Sequence, residues 1–235
     1  MAPRIDSILA ASLPLEILPR AIGEWLAPSL PLDFALRPPD STEHSKDDTL
    51  PRLAPSRPTA TQLASIALLR SALSEQATNR GVSPDDLVPL EAGILCLFGD
   101  LEGCHTLAQS REGEGPYALA DYWHAIMHRR EPDFANARYW FRRIGNPPIW
   151  EELRRVGGTL RGSPDPAAQL WGDRLGRVAG WDALGFVDLC EACHPDEKSE
   201  LARLARQIQF QEMTLLLEFT LKQADPQAAG FGPLA

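Results

Sequence analysis

His124 and His128 stand four residues apart, the spacing that sets two imidazoles on one face of a helix where both reach a single metal ion. Asp121 and Glu131 fall along the same side, so carboxylate oxygens could join them. The chemistry implied is that of a divalent metal bound by His124, His128 and Glu131, in a hydrolase-like enzyme. Between the histidines lie Ala125, Ile126 and Met127, so the glutamate of a zinc-protease HExxH motif is missing, and with it the usual general base. Two histidines alone do not close a site. The competing reading is a polar groove in which each imidazole hydrogen-bonds a carboxylate such as Asp121 or Glu131.

Two other groups could carry chemistry. Cys190-Glu191-Ala192-Cys193-His194 fits the CxxCH pattern of covalent haem attachment or of a thiol redox or zinc site, with Met213 downstream as an axial ligand by composition. Haem is attached outside the cytoplasm, and no export signal is visible, so half-buried thiols at a helix end stopped by Pro195 are expected instead. Arg129, Arg130, Arg138, Arg142 and Arg143 could bind a small phosphate or carboxylate, since guanidinium forks suit such anions. Solvated ion pairs are the commoner fate of such residues.

These residues need two antiparallel helices to position them. Pro132 cannot donate an N–H and disfavours a helical Glu131, so a first helix stops there and Asp133 caps a second. Leu119, Tyr122, Trp123 and Ile126 make the apolar stripe of the first helix, leaving Asp121, His124, His128 and Glu131 on roughly the opposite side. Phe134, Ala137, Trp140, Phe141 and Ile144 make the apolar face of the second, while Arg138 and Tyr139 point elsewhere. Gly145-Asn146-Pro147-Pro148 supplies the stop.

A preceding hairpin repeats this pattern. An offset of 33 positions places Asp100 on Asp133, Cys104 on Ala137, Leu107 on Trp140 and Ala92 on Ala125. It also places Glu91 on His124, Leu95 on His128 and His105 on Arg138, so Glu91 and His105 are further candidate ligands. Upstream, helical patterning runs from Thr59 or Thr61 to about Asn79, and Ser83-Pro84 opens the helix that reaches Phe98. Downstream, shorter helices are expected over Ile149–Val156, from Asp165-Pro166 through Val178, and over Trp181–Cys193. A long helix from Pro195 to about Gln223 follows, apolar all round at Leu215-Leu216-Leu217. No stretch shows sustained strand alternation. The expected fold is all-α: antiparallel helical hairpins packed with a long C-terminal helix.

Residues 1–36 carry prolines at 14, 19, 28 and 31 and are read as an arm, 37–58 as a linker or surface loop, 59–224 as one domain and 225–235 as a tail. The formal charge of −9 argues against nucleic acid, which needs a basic footprint. Four cysteines without a dense framework suggest reduced thiols and a cytoplasmic setting. Arg4, Asp6, Pro14 and Glu16 interrupt any signal-peptide core, and no run approaches the ~18 apolar residues of a spanning helix.

The run His124-xxx-His128-Arg129-x-Glu131-x-Asp133-xx-Asn136-Ala137-xx-Trp140 resembles a motif of uncharacterised helical microbial proteins, a resemblance that brings no activity with it. The offset of 33 and the Asp133-Phe134-xx-Ala137 turn are similar to tetratricopeptide helix pairs, although the early Trp-Leu-Gly signature is missing. That similarity implies stacked hairpins and, by analogy, a protein or peptide partner. The function expected is a binding or interaction module whose groove is lined by Asp121, His124, His128, Glu131, Arg138 and Tyr139. Its ligand would be a peptide or a small anion, and a metal-dependent enzyme is the alternative.

Overall fold

The computed structural model describes residues 18–29, 50–177 and 179–228. The readings placed on residues 1–17, 30–49, 178 and 229–235 lie outside these. Among the described residues the fold is all-α, with ten helices and no strand. They are α1 (Arg20–Leu26), α2 (Ala60–Arg80), α3 (Pro84–Leu97), α4 (Leu101–Gln109), α5 (Leu119–Arg130), α6 (Phe134–Phe141), α7 (Ile149–Gly158), α8 (Pro166–Leu175), α9 (Ala183–Cys193) and α10 (Glu200–Ala224).

The caps explain most of the boundaries. Thr59 and Gln62 form a reciprocal capping box at α2, and Gly81 closes that helix at φ 67°, a left-handed conformation that glycine adopts without penalty. Ser83 caps α3 with Pro84 in the first turn, as expected. The long helix begins later than Pro195. The segment His194–Asp196 makes its own 3₁₀ turn, and Ser199 caps α10 by accepting from the Ala202 N–H.

The hairpins α3/α4 and α5/α6 turn through the same hydrogen bonds, 33 residues apart. The Asp100 N–H donates to Leu95 O and the Asp133 N–H to His128 O, each at 2.9 Å. The Asp100 carboxylate then accepts from the Gly103 N–H at 3.0 Å, and that of Asp133 from the Asn136 N–H at 3.1 Å. A short polar side chain at this position satisfies an N–H that the first helical turn leaves free.

Helix α5 lies at the centre, against α3, α4 and α6. All twelve of its residues are buried, the polar ones included. The expected opposition of apolar and polar faces is therefore not one of core against solvent. The polar side is covered by neighbouring helices, and its charged groups need internal partners. Close approach on the other side depends on Gly93 of α3, where a Cβ would stand 2.5 Å from the Trp123 ring and 2.8 Å from Leu217. Helix α10 covers this layer, packing on α3, α7 and α9. Burial of α5 forces one internal ion pair. Arg129 donates to Glu212 of α10, whose other oxygen accepts from the Tyr122 hydroxyl at 3.1 Å, and Trp150 donates to that hydroxyl at 3.1 Å.

The ends of the described chain are tied together. Leu18, Ile22, Trp25 and Leu26 are buried. The Trp25 indole donates to the Asp225 carboxylate at 2.9 Å, and Arg80 at the end of α2 pairs with the same carboxylate. Burial opposes ionisation of Asp225, yet bonds from Arg80, Trp25 and the Gln227 N–H hold its carboxyl below the ordinary range. A depressed carboxyl stabilises the fold above its unfolded pKa, and that contribution is lost as pH falls through the folded value. Asp225→Asn should therefore cost about 1–3 kcal/mol in urea unfolding at neutral pH. The difference from the parent should shrink below about pH 4. A difference independent of pH would contradict this.

Candidate metal centre

Helix α4 brings His105 to the two histidines of α5. One ligand nitrogen from each of His105, His124 and His128 lies within 4.8 Å of the others. The ring centroids are 4.7 Å apart for His105–His124, 4.8 Å for His124–His128 and 5.5 Å for His105–His128. A tetrahedral ion with Zn–N bonds of about 2.0 Å needs its nitrogens about 3.3 Å apart, so no pair has to close by more than about 1.5 Å. Of the three, His105 is partly exposed, which leaves its side chain room to make that adjustment.

The rings are held from behind. His124 stacks on Trp140 of α6 with centroids 4.0 Å apart, and the turn after α5 sets Glu131 Oε2 3.2 Å from His128 Nδ1. That approach lacks hydrogen-bond geometry, and a small turn of the Glu131 side chain would set its carboxylate on Nδ1 and leave Nε2 for a metal, an arrangement that also raises ligand basicity. His124 is only 1% exposed, and neither of its ring nitrogens has a hydrogen-bond partner. A buried polar atom left unpaired costs about 1–3 kcal/mol, so the site is short of one electrophile or donor. Burial, followed by the neighbouring His128 and His105, lowers the His124 pKa to about 3. Burial lowers His128 too, against the carboxylates of Glu131 and Asp133. Neutral imidazole is the form that ligates metal.

His105 and His128 line a groove of about 850 Å³, with His124 buried behind them. Both hairpin turns border it, through Asp100 and Asp133, and the buried Met127 and Arg130 also line it. Its far wall is the segment Pro55–Pro58 with Leu63 of α2. Pro55, Arg57 and Pro58, from the expected linker, thus border the site. Leu53 is buried, and the Arg52 carbonyl accepts from Arg130 at 3.3 Å and from Gln209 at 3.1 Å.

Of the residues singled out from the sequence, His124, His128 and Glu131 come together here, joined by His105, which the repeat alignment had put forward. The others do not. Asp121 is buried at the start of α5 and accepts from the Gly113 N–H at 3.0 Å; burial raises its carboxyl against that bond. Glu91 pairs with Arg70 on α2. Arg138 of α6 is spent on α9, with two bonds to Asp188 at 3.0 and 2.7 Å and another to Glu191. Tyr139 is exposed and accepts from Arg143 at 3.0 Å, and Arg143 pairs with Glu112. The thiols of Cys190 and Cys193 are buried on the inner side of α9, and burial pushes both up to about 12. That environment disfavours the thiolate that metal binding and disulfide exchange require. His194 contacts Phe134 edge-on at 5.9 Å.

No known family model matches this chain, and no curated protein or solved structure gives a significant match. No helix among the described residues is long and apolar enough to cross a membrane.

Proposed function

We propose that this protein binds a zinc-class divalent ion through His105, His124 and His128, and that the ion is the ligand-binding and hydrolase-like centre of the groove. The observation that carries this is the convergence of three imidazoles from two hairpins around a buried ring whose nitrogens have no partner. Three neutral imidazoles without a first-sphere carboxylate suit zinc, copper or nickel rather than magnesium or calcium. When bound, such an ion supplies Lewis acidity and a water of lowered pKa at a fourth position open to the groove. The chain's own contribution is to orient His128 through Glu131, to brace His124 on Trp140, and to shield the ligands from bulk water.

The binding-module reading continues within this one, since the groove is walled by Pro55, Pro58, Pro132 and the 43% exposed Leu63. The matched turns 33 residues apart support a tetratricopeptide-like stacking of the two hairpins. The test is elemental analysis of untagged protein purified with zinc replete. One ion per chain, removed by chelator and restored on readdition, is the expected result. A clearly substoichiometric content would overturn the proposal.

A further inference from the structure

Four of the five arginines around the central hairpin have a carboxylate partner or reach solvent; Arg130 has neither. It is 1% exposed, and its charge meets only neutral oxygens: Nη1 donates to the Cys96 carbonyl and Nη2 to the Arg52 carbonyl. Its Nε–H has no hydrogen-bond partner. Among the described residues it forms no ion pair with a carboxylate, although it borders the same groove as the histidines. Beside it, the Cys96 sulfur lies 4.0 Å from Nη1. Burial opposes a Cys96 thiolate, and a hydrogen bond with Cys104 and the Arg130 charge outweigh it, leaving that thiol at about 7. A thiol titrating there supplies only part of a counter-charge.

A guanidinium taken out of water without a counter-ion is costly, and the fork geometry of arginine selects oxyanions. The groove's acids do not fill the role. Asp100 and Asp133 accept from the Gly103 and Asn136 amides, Glu131 stands near His128, and Glu102, the fourth acid of the lining, forms no ion pair with Arg130. At the rim, Arg57 is exposed and lines the groove opposite.

We infer that the groove binds an oxyanion, a phosphate or carboxylate group, with Arg130 at its base, Arg57 at its rim and the ion at the three histidines as a further contact. This last contact rests on the metal reading above; the two arginine contacts do not. The ligand class of the site is then a small phosphorylated or carboxylated molecule, or a peptide carrying such a group, with an apolar portion against Leu63 and Leu101.

The experiment is isothermal titration of inorganic phosphate, and separately of acetate, into metal-loaded and metal-free protein whose metal content has been measured. One phosphate or acetate site is expected in the loaded protein, at least tenfold weaker without metal and at least tenfold weaker in Arg57→Ala. Arg130→Gln should abolish it. Arg57→Ala, at an exposed position, keeps the test decisive if Arg130→Gln fails to fold. Loaded protein that binds neither anion, or binds equally well without Arg57, overturns the inference and leaves the metal site standing. Arginine-dependent phosphate binding in a chain that takes up no metal sinks the metal reading and keeps the anion site.

Discussion

Alanine in place of His124 should remove the thermal response to zinc altogether. For the parent, zinc at a hundredfold excess over its dissociation constant adds about 2.7 kcal/mol to stability. In a chain of this size that is a rise of roughly 5–10 °C in Tm. His105→Ala and His128→Ala should behave likewise, because two imidazoles leave the ion without a third protein ligand. Glu131→Gln should retain binding at about 10–100-fold lower affinity, as expected of a carboxylate that orients a ligand without touching the ion. The metal-free His124→Ala protein should lose about 1–3 kcal/mol, because the cavity left beside Trp140 outweighs the relief of two unpaired nitrogens, so the zinc response is read as the shift within each variant. Equal zinc-induced shifts in the parent and all three alanine variants would show that the ion sits elsewhere.

Glu212→Ala should be among the most damaging single substitutions in the fold. Neither Glu212 nor Arg129 has any exposed side-chain surface. Burial works against the Arg129 charge, and Glu212 outweighs it, so the arginine pKa ends above its ordinary value. The guanidinium lies 4.5 Å from the Phe186 ring centre and 5.6 Å from that of Phe141, so these neighbours offer it no replacement acceptor for the lost carboxylate. Tyr122 would lose the acceptor for its hydroxyl at the same time. Removing one partner of such a pair costs about 3–5 kcal/mol, a large part of the 5–15 kcal/mol that holds a typical domain together. The double substitution Arg129→Met with Glu212→Leu should recover most of that loss in urea unfolding, because an apolar pair of similar volume leaves no charge stranded. A Glu212→Ala loss below about 1 kcal/mol would mean that the pair is hydrated in solution.

Local chemistry made the hairpins legible. Pro132-Asp133, Ser83-Pro84 and Asp165-Pro166 each mark a helix start by rules that involve only neighbouring residues, and the structure places helices after all three. The offset of 33 is visible in the sequence because the two turns use the same aspartate for the same amide. Helical spacing also put His124, His128 and Glu131 on one side of α5. It could not show that this side would be buried, because that depends on α3, α4 and α6 closing over it. For the same reason spacing groups Arg138 and Tyr139 with the histidines, although the partners of Arg138 are on α9 and that of Tyr139 is Arg143, just past α6. His105 was reachable only through the repeat, whose alignment set it against Arg138. Arg57 and the Pro55–Pro58 wall lie far along the chain from the site they border, and nothing in their own composition announces it.

The clasp at Asp225 has a consequence for how the protein is made. The indole that donates to it lies 200 positions earlier, so nearly the whole described chain must leave the ribosome before that bond can close. Until then α1 lacks this anchor, and Trp25 and its aliphatic neighbours stay without the cover that α10 gives them. The hairpins α3/α4 and α5/α6, whose turn bonds span only a few residues each, can assemble long before, so the histidine cluster should exist on the nascent chain ahead of the clasp.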